Sequence, residues 1–185
     1  MQRLPHFVKT DRLVVRLWVV EDAEDLNRAQ AESRYHLVPW MPWASIPPLN
    51  LTDRKAQILQ FTDEWEHGRD AILGVFREQE IVGGIGLHRR VGSGGLEIGY
   101  WTHVNHVRKG YGAEAAEGLT TAAFQVPEVD HIEIHHDRAN KPSSGIPRKL
   151  GYLLTAKKTR KTQTPSESGV QYTWKMTKDA WQGRD

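Results

Sequence analysis

The residues best suited to chemistry lie in two stretches, Leu96 to Gly112 and Asn140 to Tyr152. In the first, the apolar and aromatic run Leu96-Glu97-Ile98-Gly99-Tyr100-Trp101 has strand length. A short polar link leads to Val107-Arg108-Lys109-Gly110-Tyr111-Gly112, then to Ala113-Glu114-Ala115-Ala116-Glu117, rich in helix formers. A strand, a glycine-bearing basic turn and a helix start make an anion site. Backbone N–H groups and the helix dipole converge on a phosphate, and Arg108 and Lys109 add charge there. Glu97 shares a strand face with Gly99 and Trp101, because side chains alternate. That carboxylate either takes a proton from an amine, its pKa raised by burial, or pairs with a neighbouring arginine. Two jobs compete for the Ser143 hydroxyl: a hydrogen-bond relay to a leaving group, or an N-cap after Pro142. Ser144 is the second choice for the relay, and Asn140 is either a ligand contact or a turn residue.

Taken together, these stretches resemble the GCN5-related N-acetyltransferases (GNAT), and most closely their RimJ/RimL-like branch, the ribosomal-protein N-terminal acetyltransferases. Thr10-Asp11-Arg12-Leu13-Val14-Val15-Arg16-Leu17 with Asp22-Ala23 is similar to the branch's first strand and helix. Leu37-Val38-Pro39-Trp40-Met41-Pro42-Trp43 is similar to its proline- and tryptophan-bearing loop. Residues Glu97 to Trp101 with Lys109-Gly110-Tyr111-Gly112 match the acetyl-CoA motif, and Asn140, Ser143 and Gly151-Tyr152 keep the Asn-Ser-Gly-aromatic spacing. The resemblance implies a mixed α/β GNAT fold: a mostly antiparallel twisted sheet of about six to seven strands flanked by about four helices. It implies acetyl-CoA as co-substrate and no metal. The cofactor contacts would be Ile98, Gly99, Tyr100, Val107, Arg108, Lys109, Gly110, Tyr111, Gly112, Asn140 and Ser143. Ser143, Glu97 and Tyr100 would act in catalysis, Tyr100 through a backbone N–H that polarises the thioester oxygen. Acetyl transfer to a small-molecule amine, such as an aminoglycoside-type antibiotic, and transfer to a protein N-terminus are both compatible with the branch. A non-catalytic CoA-binding module is the alternative of another class.

Two departures from the family pattern stand out. Val107 occupies a place where Arg or Gln is usual, Arg108 one where glycine is common, and Val104 replaces a frequent proline. Gly145-Ile146-Pro147 puts a breaker into the segment after Ser143, which predicts a short helix or one starting only near Pro147.

Tyr35, His36, Trp40, Trp43 and Trp101 form a second constellation, read as the wall of an acceptor pocket whose aromatic faces hold a cation, or as loop packing. With Glu32, Glu97 and an acidic first helix close by in the family's arrangement, this wall favours a compact cationic amine. Trp18, Trp65 and Trp174 sit on periodic elements and are expected in the core, whereas Trp181 falls in a loose tail. His131, Glu133 and His135 alternate onto one strand face, but no third ligand helix accompanies them and no metal is expected.

The 185 residues, 38% hydrophobic, suit one domain spanning 1–185. The absence of cysteine excludes disulfides and thiolate metal sites and fits a cytoplasmic setting, and seven tryptophans are many for this length. A formal charge of +2 is too balanced for a dedicated nucleic-acid binder, and no run suits a membrane span or signal peptide. A homodimer is left open. The elements that must position the site follow from periodicity. Residues 13–19 read as a first strand, Glu21-Asp22 as a helix start, and Thr52-Asp53 as the cap of a second helix ending at Gly68. Residues 71–76 and 81–87 form a hairpin, 112–124 a helix, 130–136 a strand, and 170–176 a last strand after a polar turn over 157–168. Lys157, Lys158, Arg160 and Lys161 read as its solvated tip.

Overall fold

In the computed structural model, which describes residues 2–184, eight strands form one sheet in the order β1-β2-β3-β4-β5-β6-β8-β7. The strands are β1 Phe7–Lys9, β2 Val14–Leu17, β3 Ala71–Arg77, β4 Glu80–His88, β5 Gly95–Thr102, β6 His131–Asp137, β7 Leu153–Thr159 and β8 Val170–Thr177. Five helices flank them: α1 Ala23–Leu37, α2 Leu51–Glu66, α3 Tyr111–Ala123, α4 Lys141–Lys149 and α5 Lys178–Gln182. Every pairing is antiparallel except β5 with β6. The expected mixed fold is present with more pieces than expected. The three-residue β1 is too short to carry a period, and α5 ends a tail that reads as loose.

Alternation places the core. Val14 and Trp18 join Leu26, Ile58 and Phe76 under α1 and α2, while Leu13 and Val15 join Ile98, Leu119 and Ile132 under α3. Helix α2 begins two to three residues earlier than expected, because Asn50, not Thr52 or Asp53, caps it: its side-chain oxygen accepts from the Asp53 N–H at 2.9 Å. Trp181 is not loose. Its ring packs against Phe124 and Tyr152, and its indole N–H donates to Thr121 at 3.2 Å. The polar turn is shorter than expected, since β7 carries Lys157 and Lys158 and the turn spans 160–169. Lys157, Lys158 and Lys161 are exposed as read, but Arg160 is paired with Glu167, and the turn is anchored at Thr164, which is buried and donates to the Pro39 carbonyl at 2.7 Å. No helix among the described residues is long and apolar enough to cross a membrane.

Candidate active site

The parallel pair β5–β6 ends early. Gly95, Leu96 and Glu97 pair with His131, Ile132 and Glu133, and beyond Glu97 the strands part. The phase of β5 follows from its other edge. The His103 N–H donates to the Val82 carbonyl at 2.9 Å, so the backbone groups of residues 97, 99 and 101 turn to β4. Those of Tyr100 therefore face the gap, one step past the last β6 pair. A thioester carbonyl seated there meets a fixed N–H donor.

Beside the gap, the turn from Val107 enters α3. Arg108 has φ +61° and Gly110 φ +85°. The left-handed place at 108 explains why glycine is common there in the family; this chain holds the same backbone shape with an arginine. Among the described residues, none accepts a hydrogen bond from the N–H of Gly110, Tyr111, Gly112 or Ala113. Arg108 and Lys109 are exposed next to them. The turn is pinned from outside: Arg12 donates to the Lys109 carbonyl at 3.2 Å and to Glu114 at 2.7 Å. The guanidinium of Arg12 also lies over the Tyr111 ring. Burial would raise the Glu114 pKa, but hydrogen bonds from Thr10 and Arg12 outweigh it and hold the carboxylate ionised. At Gly112 a Cβ would sit 3.1 Å from Ile146 Cδ1 and 3.3 Å from Thr102 Oγ1, so a side chain there would have to push both neighbours aside by a few tenths of an ångström.

The segment after β6 starts as a helix at Lys141, not at Pro147. Asn140 is its N-cap, its side-chain oxygen accepting from the Ser143 N–H at 3.2 Å. The capping job thus falls to Asn140, and the Ser143 hydroxyl is free of it. Pro147 cannot donate to the carbonyl four residues back, which is that of Ser143. Tyr100 uses the vacancy: its hydroxyl donates to the Ser143 carbonyl at 3.0 Å and lies 3.1 Å from Ser143 Oγ. Burial pushes the Tyr100 pKa well above its ordinary value, so the phenol stays a donor. Ser144 is buried and bonded back to the Lys141 carbonyl at 2.8 Å.

Glu97 departs from the expected poised acid. Arg90 clamps it with two hydrogen bonds at 2.8 and 2.6 Å, and His135 Nδ1 lies 3.2 Å away. Burial alone would raise its pKa, but these partners outweigh burial and hold it at about 2. The carboxylate is a weak base for that reason. His135 is held protonated more firmly than usual: burial lowers its pKa, but Glu97 and then Glu133, 2.7 Å from Nε2, raise it further. Glu133 is thereby engaged, and His131 bonds Asp130.

Glu97, Gly99, Trp101 and, across the pair, Gly86 and His88 share the face that opens into a cleft of about 860 Å³. His88 is the group on this face that sequence reasoning misses. Its Nδ1 lies 2.7 Å from Asp70 Oδ2, while Asp70 Oδ1 accepts from the Arg89 N–H at 2.9 Å. The other nitrogen, Nε2, extends over Gly86 and Gly99, 3.0 and 3.5 Å from where their Cβ atoms would stand. Gly86 gives the ring its room, whereas a Cβ at Gly99 would make only ordinary contact with it. The only sequence signal is a histidine just after an apolar strand; the Asp70 partner comes from the far end of a hairpin.

Trp40, Trp43 and Trp101 line the cleft, with Trp43 edge-on to Trp101 at 6.1 Å. Tyr35 and His36 do not. They point off the outer face of α1, and Tyr35 is 94% exposed. Glu32 also lies outside, 3.1 Å from His103. Arg34 and Arg54 of α1 and α2, and Arg160 and Glu167 of the 160–169 turn, complete the wall.

The comparisons agree with this architecture. An acetyltransferase (GNAT) domain model matches residues 12–153. The putative ribosomal N-acetyltransferase YdaF of Bacillus subtilis is 26% identical over 149 residues, 80% of this chain and 81% of that protein. The structure of RimL, a ribosomal L7/L12 alpha-N-protein acetyltransferase in complex with coenzyme A, superposes with a TM-score of 0.85 at 13% identity, covering 95% of this chain and 99% of that one. The microcin C7 self-immunity acetyltransferase MccE, in complex with acetyl-CoA and AMP, gives a TM-score of 0.83 at 18% identity, over 91% and 93% of the two chains. The family model spans β2 to β6, with the parted strands and the helix start that form the site, and the chain belongs to the GNAT acetyltransferase family, as its RimJ/RimL-like motifs imply.

Proposed function

We propose that this protein transfers the acetyl group of acetyl-CoA directly to a primary amine, and that the amine is a protein N-terminus. The observation that carries the reading is the gap between β5 and β6, flanked by free N–H groups at the start of α3 and opening onto the cleft that holds His88. The pyrophosphate lies against the N–H groups of 110–113 with Arg108 and Lys109, and Tyr100 N–H polarises the thioester oxygen. Ile98, Gly99 and Val107 line the path between, and Asn140 fixes the turn that presents Ser143. As the neutral amine attacks the carbonyl carbon, its nitrogen loses a proton to His88 Nε2, whose ring Asp70 orients. The C–S bond then breaks, and the Ser143 hydroxyl, held beside Tyr100, donates a hydrogen bond to the thiolate, which takes its proton from solvent. Glu97 serves as an anchor for Arg90 and His135.

YdaF and RimL carry names of ribosomal-protein acetyltransferases, which supports the N-terminus over the small cationic amine that the aromatic wall favours. The cleft supports it too, since the carboxylates meant to attract a cation are already paired. Release of CoA thiol from acetyl-CoA is followed with short N-terminal peptides and with small amines. Peptides turn over faster, and His88→Gln lowers kcat at least 100-fold with little effect on acetyl-CoA affinity. Turnover of small amines alone defeats the acceptor assignment, and an unaltered kcat in His88→Gln removes the proton acceptor.

A further inference from the structure

Arg54 is a buried cation without a counter-ion among the described residues. It is 5% exposed and forms part of the cleft wall. Its three nitrogens donate to neutral amide oxygens: Nε to Asn27 at 2.7 Å, one terminal nitrogen to Gln57 at 2.6 Å and the other to Gln30 at 2.6 Å. One N–H on each terminal nitrogen is left over. Apart from Arg34, the other charged groups of the cleft have partners. Arg90 holds Glu97, Arg160 holds Glu167, and Asp137 accepts from the backbone N–H groups of Ala139, Ser168 and Gly169. Arg34, nearby on α1, reaches only the Ser45 carbonyl at 3.4 Å. Among the described residues, neither Arg34 nor Arg54 has a carboxylate within ion-pair distance.

A guanidinium taken out of water is costly unless an anion compensates it. Amide oxygens satisfy its hydrogen bonds and fix its plane but leave the full charge in place. A rigid guanidinium fork with N–H groups to spare can match the two oxygens of a carboxylate. We infer that Arg54, held by Asn27, Gln30 and Gln57 and assisted by Arg34, is a recognition site for a carboxylate on the acceptor, so that the preferred substrate is a primary amine bearing a nearby acidic group. This deepens the acetyltransferase reading and rests on it. Such an acceptor is either a protein N-terminus with Asp or Glu in its first residues or a free amino carboxylate. Selectivity of this kind is strong, since an acceptor without the anion leaves the buried charge unmatched.

The test measures kcat/KM by CoA release for matched N-terminal peptides carrying Glu, Gln or Lys at the second and third residues. Free amino acids and their amides form the small-molecule arm. Acidic acceptors should exceed neutral ones at least tenfold, through KM, and lysine-bearing ones should be poorest. Arg54→Gln should bring the acidic-to-neutral ratio close to one, whatever its absolute rates. Arg34→Gln, at a partly exposed site, should reduce the same ratio less and keeps the test open if Arg54→Gln does not fold. Preference among peptides assigns the carboxylate to a protein, and preference among amino acids over their amides assigns it to a small molecule. A ratio near one in the unmodified protein, or one that neither variant changes, overturns the inference. No CoA release from any amine would instead defeat the acetyltransferase reading.

Discussion

Replacing Glu97 by Gln should cost stability at neutral pH, and the cost should vanish as the solution is acidified. The carboxylate titrates at about 2 in the folded protein against an ordinary 4.5. At about 1.4 kcal/mol per unit, that difference makes the ionised form worth about 3 kcal/mol of folding free energy. The folded pKa is the depressed one, so this stability is complete above the unfolded value and is lost as pH falls through the folded value. Linkage gives about 1.4 kcal/mol already lost by pH 3.5. Glu97→Gln has no proton to take up there and lacks that slope. At pH 7 it leaves Arg90 and His135 facing a neutral amide, which sets the gap between the two proteins. Urea unfolding of both between pH 5 and 3.5, below the titration of His135, checks this, with the difference in free energy shrinking by about 1.2 kcal/mol. A constant difference refutes the Arg90–Glu97–His135 cluster. A difference that grows on acidification would mean a raised pKa, returning Glu97 to the role of a poised acid.

Ser143→Ala should lower kcat with little change in acetyl-CoA affinity or melting temperature, because Asn140 caps α4; Asn140→Ala should instead cost about 1 kcal/mol in a thermal melt. Arg108→Gly should act in opposite directions on two readouts, stabilising the fold by about 1 kcal/mol by relieving a left-handed φ. Calorimetry of the same variant should show weaker acetyl-CoA binding through loss of one cation at the phosphate turn. Trp181→Ala should destabilise by about 2 kcal/mol in urea, through lost packing on Phe124 and Tyr152; an unchanged midpoint would restore the loose tail.

Much of the fold is written locally in the chain. The alternation of Leu13–Leu17 places a strand and its faces, because it follows from the backbone pleat alone, and the apolar run Ile81–Leu87 after a polar turn marks a hairpin strand. The glycine-bearing turn before α3 is local too, and even the left-handed place at Arg108 is marked by what the family puts there. Elements without a period were beyond reach: β1 has three residues, and α5 is ordered by Trp181 meeting Phe124 and Tyr152 far back in the chain. The state of the candidate catalytic groups was beyond reach for a related reason. Whether burial raises a carboxylate or a partner lowers it depends on what lies within a few ångströms, and for Glu97 that is Arg90 across a turn and His135 on another strand. His88 becomes a candidate only once the β3–β4 hairpin brings Asp70 to its Nδ1. Pro147 reads as a breaker, yet in the fold its missing N–H leaves the Ser143 carbonyl for Tyr100, forty-three residues earlier. Arg54 looks in sequence like any arginine on a helix. Only the packing of α1 on α2 buries it among three amides and leaves its charge unanswered, since charge balance is a property of neighbours in space and not of neighbours in the chain.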